Sequence, residues 1–237
     1  MIDRFLYCLL LTSALSLAPA FAENKLSREQ QREIFVKAEQ LAHNPNSQRF
    51  KTLMAQLEGY PLKPYVELST LSQFPYLANK APIERFLTEY EFTPLDRPLR
   101  KKWLSYLAKK NQSELFRHFY RDIGDDSLTC KYAEFLLLEN PMSQEALAIA
   151  ENLWVVGKSQ PKACDPLFQI WQKQDLRTPA LVWKRLSLAA DGGNHTLIPY
   201  LGTLLPDEQQ YLAALWLKVR RSPSQVSRLS NFPGIFP

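Results

Sequence analysis

An all-α chain, an irregular superhelix of antiparallel helix pairs, is what this sequence predicts, and three observations predict it. Apolar residues recur at the helical period of about 3.6 residues, while strand-type alternation is nearly absent. Five prolines, Pro64, Pro82, Pro98, Pro166 and Pro179, each stand where a first helical turn would begin, the place where a missing N–H costs nothing. About a dozen helical stretches, roughly 10–16 residues each, are joined by short turns marked by proline and asparagine, as antiparallel neighbours require.

The elements follow in order. Ser27 stands three residues before Gln30, a capping-box spacing, and the first helix then runs to about His43 with Ile34, Ala38, Leu41 and Ala42 on one side. Asn44-Pro45 stops it, because proline cannot continue a helix and constrains the residue before it. A second helix carries Phe50, Leu53, Met54 and Leu57 as its stripe and ends at Gly59. Further on, Trp103, Tyr106 and Leu107 form an apolar stripe that leaves neighbouring cations outward. Tyr132 through Pro141 and Ala146 to Trp154 reads as one helical hairpin. Asp165 can cap and Pro166 can start the next helix, which puts Leu167, Phe168 and Trp171 on one face. Cys164 then falls just before that helix, where a loop residue can reach Cys130 on an earlier one. The tryptophans at positions 103, 154, 171, 183 and 216 are irregularly spaced, so an ideal tetratricopeptide array is not supported. No linker rich in glycine or serine divides the chain, and residues 23–237 are expected to form one domain.

Residues 1–22 read as a secretory signal peptide: Arg4 supplies the charge, Phe5 to Leu17 the apolar stretch, and Ala20-Phe21-Ala22 the small-residue cleavage site. The stretch is too short for a spanning helix, so no transmembrane segment is expected. Cys8 lies in the middle of the apolar run, away from the cleavage point, which argues against a lipid anchor. Export would leave Cys130 and Cys164, an even pair in an oxidising compartment. A single disulfide is the expectation, with two separate buried thiols as the alternative. There is no Cys-x-x-Cys spacing and no histidine near either cysteine in sequence.

Taking 22 residues from 237 leaves 215, enough for one large domain or a continuous helical array. Only 7 glycines are present, too few for a glycine-rich phosphate cradle. A net charge of +5 suits a polyanionic partner, and the export signal argues against nucleic acid. Gly157-Lys158-Ser159 mimics the tail of a phosphate loop, but Asn152 occupies the position of the required first glycine and Pro161 forbids the immediate helix. His43, His118 and His195 are far apart and lack metal-ligand spacing, so neither metal nor cofactor is expected. His118 and Asp122, one helical turn apart, are a candidate surface pair. Arg97, Arg100, Lys101 and Lys102, with Lys109 and Lys110, make one basic stretch; Lys218, Arg220, Arg221 and Arg228 make another. Glu67, Glu84, Glu89 and Glu134 read as helix-surface charges.

One segment is more specific than composition or periodicity. Asn152 to Trp171, NLWVVGKSQPKACDPLFQIW, resembles a segment of the soluble lytic murein transglycosylases, in its Leu-Trp, its Gly-Lys-Ser-Gln-Pro turn and its Ala-Cys-Asp followed by Leu-Phe. The resemblance extends thinly to Tyr60-Pro61-Leu62, Pro64-Tyr65 and Glu67 upstream and to the run from Ala180 to Asn194 downstream. It implies a U-shaped, tetratricopeptide-like, ring-building helical region, a bond between Cys130 and Cys164, and a role in peptidoglycan turnover. In that family a single glutamate protonates the leaving oxygen of the glycosidic bond. That glutamate is followed directly by serine, in a lysozyme-like domain C-terminal to the helical region. The present sequence has no Glu-Ser dipeptide and lacks the Gly-Leu-Met-Gln and Ala-Gly-Tyr-Asn type motifs, so no catalytic residue is assigned.

The expectation is therefore a non-catalytic helical domain of a periplasmic transglycosylase that stops before the catalytic domain and is inactive alone. Its expected partners are peptidoglycan, through Arg97, Arg100, Lys101 and Lys102, and a C-terminal catalytic domain or other cell-wall proteins. A standalone periplasmic scaffold that binds proteins on a concave face is the alternative.

Overall fold

A computed structural model describes residues 26–231. The signal peptide expected at 1–22 lies outside the described residues, as does the apolar tail beyond Asn231. Within them the chain is all-α, with twelve α-helices linked by turns and short 3₁₀ segments and no strand. They form two packing units, one through Val66 and one from Glu67 onward.

In the first unit, α1 (Arg28–Gln40) begins with the capping box that the sequence spells. Ser27 Oγ accepts from the Gln30 N–H at 3.2 Å, and Gln30 Oε1 accepts from the Ser27 N–H at 2.8 Å. The helix ends three residues before His43, because the Leu41 and Ala42 N–H groups donate to the carbonyls of Ala38 and Glu39 and tighten the last turn. Helix α2 (Gln48–Gln56) is capped by Ser47. Ala38, Ala42, Phe50, Leu57 and Val66 are buried together, and Tyr60 lies against Phe35 with ring centroids 5.9 Å apart. Helix α3 (Lys63–Gln73) carries the chain across the boundary between the units.

The second unit has two cores. Helices α4 (Lys80–Glu89), α5 (Asp96–Lys109) and α6 (Ser113–Phe119) enclose Ile83, Phe86, Trp103, Leu107 and Phe116. Each such side chain, removed from water, contributes about 2–3 kcal/mol. Helix α7 (Asp126–Glu139) belongs to both cores. It gives Leu128 and Phe135 to the first and Cys130, Ala133 and Leu137 to the second, which is why it is apolar on two sides. Helices α8 (Gln144–Trp154), α9 (Asp165–Gln172), α10 (Pro179–Ala190), α11 (Ile198–Gly202) and α12 (Asp207–Arg221) complete the second core around Trp154, Trp171, Leu186 and Ile198.

All five prolines fall within the first three residues of a helix. At Asp165-Pro166 the register is one residue earlier than expected: Cys164 holds the cap position and Asp165 is already helical, because a 3₁₀ turn from Lys162 to Cys164 runs into α9. The helices span 5 to 15 residues, a wider range than the sequence suggests.

Candidate functional site

The transglycosylase-like segment Asn152 to Trp171 forms the end of α8, a loop and most of α9, and the loop is built on close backbone contact. A Cβ added to Gly157 would stand 2.3 Å from the Leu188 carbonyl oxygen, and one added to Gly193 would stand 2.4 Å from the same atom. Only glycine fits at both places. The Asn194 N–H donates to the Gly157 carbonyl at 2.6 Å and fastens the loop to the end of α10. Cys164 is disulfide-bonded to Cys130 on α7, with Cα atoms 5.0 Å apart and both residues fully buried. Segment and disulfide together hold α7, α8, α9 and α10 around Trp154 and Trp171.

The basic stretch on α5 does not present four cations in one direction. Arg100 is only 6% exposed and clamps Asp96 through Nε and Nη2, while its Nη1 donates to the Phe119 carbonyl at 2.7 Å. Asp96, fully buried, is also paired with Arg121. Arg100 thus joins α5 to the end of α6, and the reading that its charge points outward is corrected: position 100 follows Asp96 and Leu99 in the buried stripe. Arg97 donates to the Ile123 carbonyl at 3.0 Å, Lys101 pairs with Asp125 at 2.8 Å, and Lys102 is exposed.

Asp125 caps α7 by accepting from the Leu128 N–H at 3.3 Å. Burial pushes its carboxyl up, but Lys101 and the N–H groups of Leu128 and Ser127 outweigh burial and hold it below the usual aspartate range. His118 does not pair with Asp122, whose carboxylate accepts from the Gly124 N–H; its Nε2 lies 3.2 Å from Glu84 instead. Glu134 is not a surface charge either. It is 9% exposed, in the stripe with Cys130, Ala133 and Leu137, where Lys131 pairs with one oxygen at 2.9 Å and the other has no partner.

Two pockets of the second unit contain buried polar atoms that have no partner among the described residues. Around Glu134 the charges are already matched, Lys131 to Glu134 and Arg117 to Glu139. The other pocket, of about 330 Å³, opens between α8, α9, α10 and the start of α11. Its floor holds Trp154 and Trp171, with ring centroids 5.6 Å apart, and its walls include Phe168 and the exposed Tyr200. Arg185 lies over Trp154 at 4.7 Å and is 6% exposed. Its Nη2 donates to the Lys158 carbonyl at 3.2 Å, while Nε has no partner. Burial lowers the guanidinium below its ordinary value. Gln160 donates through Nε2 to the Leu153 carbonyl at 2.7 Å and leaves Oε1 buried and unpartnered.

This pocket is absent from the sequence reading, though one signal pointed to it. Val182, Arg185, Leu186 and Ala189 share a helical stripe, so an arginine sits where the period requires an apolar residue.

Comparison with known proteins agrees with the segment. The soluble lytic murein transglycosylase of Escherichia coli K12 is 26% identical over 228 residues, 96% of this chain and 34% of that protein. The Salmonella typhimurium enzyme is 26% identical over 201 residues, 84% of this chain and 31% of its own length. Among solved structures, an inactive mutant of the Pseudomonas aeruginosa lytic transglycosylase Slt superposes with a TM-score of 0.73 at 34% identity, covering 85% of this chain and 33% of that one. The 70-kDa soluble lytic transglycosylase of Escherichia coli gives 0.70 at 26% identity, covering 87% and 33%. A profile of the Cucumovirus coat protein family matches residues 137–219. That interval lies inside the longer match to the Escherichia coli K12 enzyme. The chain spans about a third of the length of these relatives, falling on their N-terminal, superhelical part. On sequence and fold together, it is related to the non-catalytic helical region of the soluble lytic murein transglycosylases.

Proposed function

We propose that this chain supplies the helical, non-catalytic region of a periplasmic lytic transglycosylase acting in peptidoglycan turnover, exported by residues 1–22 and folded over residues 23–237. One observation carries the reading: 96% of the chain aligns with about a third of an enzyme named for lytic action on murein. Among the described residues no helix is long and apolar enough to cross a membrane, which is compatible with that compartment. Contact with peptidoglycan falls first to the exposed, internally unpaired cations Lys102, Lys109 and Lys110, with Arg97 and Lys101 exposed beside them but partnered, and buried Arg100 left out.

Glycosidic cleavage needs a protonated carboxyl at the leaving oxygen, a contribution of about 10²–10⁴-fold, together with an oriented cleft. Neither is assigned in this sequence. The purified 23–237 chain, incubated at length with peptidoglycan sacculi, is expected to release no 1,6-anhydro sugars by chromatography of the soluble fraction. Release above a heat-killed control overturns the proposal.

A further inference from the structure

We propose that the pocket between α8, α9 and α10 is a recognition site for a peptide α-carboxylate together with its neighbouring amide N–H. The inference does not depend on the proposed enzymatic context. Burying a guanidinium without a carboxylate partner is costly, and an anion that pairs with it recovers that cost. Arg185 is such a group, 94% buried, with Nε unpartnered and no ion pair among the described residues. Burial opposes its charge, which meets the Lys158 carbonyl and the Trp154 ring but no ion-pair partner among the described residues.

The second orphan defines the ligand further. Gln160 and Arg185 line the same pocket, and each keeps one buried polar atom without a partner among the described residues, the acceptor Oε1 and the donor Nε. A simple anion satisfies only the arginine. A C-terminal residue of a peptide offers a carboxylate to Arg185 and an amide N–H to Gln160, while its side chain meets Phe168 and Tyr200. The charges that line the pocket are Arg185, Arg177 and one exposed carboxylate, Asp165, a net of +1 that still favours an anion. A volume near 330 Å³ is at the small end of ligand pockets and suits one or two residues.

The test uses N-acetyl-alanyl-alanine in its L,L and D,D forms, the C-terminal amide of each, and acetate. Binding is followed by the fluorescence of Trp154 and Trp171 and by thermal unfolding. At least one free acid is expected to bind saturably and, at about ten times its Kd, to raise Tm by about 3–6 °C. Its amide and acetate are expected to bind about 10- to 100-fold more weakly, as loss of a charge-assisted hydrogen bond or of the N–H contact predicts. Preference for L,L points to a protein C-terminus and preference for D,D to a wall peptide. Arg185→Gln is expected to abolish the difference between acid and amide, and Tyr200→Ala, at the exposed rim, to weaken the acid without altering the fold. Equal affinity for acid and amide in the wild-type protein, or no saturable binding of either acid, overturns the proposal. Because the wild type decides this, failure of Arg185→Gln to fold leaves the test intact.

Discussion

Asp125 does two things with one carboxylate: it caps α7 through the Leu128 N–H and receives Lys101 from α5 at 2.8 Å. The lysine is largely exposed, so the ion pair itself contributes at most about 1 kcal/mol, and the cap carries the larger share. Asp125→Ala is expected to cost about 1–2 kcal/mol at pH 7 by urea unfolding. The folded carboxyl is held below the unfolded value of about 3.9, so its charge-dependent stabilisation is present in full above that value. It is lost as pH falls through the lowered folded value. The gap between wild type and Asp125→Ala is therefore expected to narrow between about pH 5 and pH 2; a gap independent of pH contradicts this account. The neighbouring charges show what was legible at this scale. Asp96, Arg100, Glu134 and Arg185 all occupy stripe positions, spaced three or four residues from Leu99, Trp103, Cys130, Leu137, Val182 and Ala189. Period alone places them inside; for Arg100 and Glu134 polarity suggested the surface and was the poorer guide. Their partners, such as Arg121 for Asp96 some 25 residues away, come from tertiary packing that no local window contains.

At the scale of elements, local chemistry was most informative where it is strongest. Helix starts were legible from Ser27 and from the prolines, whose fixed φ and missing N–H permit few alternatives. Helix ends were not, as the early close of α1 shows, because turns of i→i+3 type cost little and leave no clear mark in sequence. Helix α7 was legible as half of a hairpin with α8, but its second apolar side, bearing Leu128 and Phe135, is explained only by the core it shares with α5 and α6. The bond from Cys130 on α7 to Cys164 ahead of α9 encloses α8 and the loop after it, across 34 positions. Closing a loop of that length stabilises the fold by about 3–4 kcal/mol in the chain-entropy account. When the protein is produced through its own export signal, alkylation in denaturant without reductant is expected to add no mass at these positions. Two adducts would mean that the bond does not form. The Cys130→Ala, Cys164→Ala double variant is expected to lose about that much stability while keeping a helical circular dichroism spectrum, because the prolines and caps that start the helices are untouched.

For the whole molecule, the relevant quantity is a net charge of +5, set against a wall that we propose as its partner. Much of the basic stretch on α5 is already committed internally: Arg100 to Asp96, Lys101 to Asp125, and Arg97 to a backbone carbonyl. Arg97 and Lys101 stay exposed despite these contacts; the exposed cations with no internal partner among the described residues are Lys102, Lys109 and Lys110 on and just after α5, and Arg220 and Arg221 on α12. Exposed charges act at a distance set by salt, about 30 Å at 10 mM and about 8 Å at 150 mM. Adsorption to insoluble sacculi through these groups is therefore expected at 10 mM salt and should fall several-fold by 150 mM in a sedimentation assay. Reversal of charge in the triple variant Lys102→Glu, Lys109→Glu, Lys110→Glu should weaken the low-salt binding without altering Tm by more than a few degrees, since none of the three is buried. Binding that survives high salt and charge reversal would rule out these cations as the contact. It would shift attention to the pocket at Arg185, where a buried charge is screened far less than one in solvent.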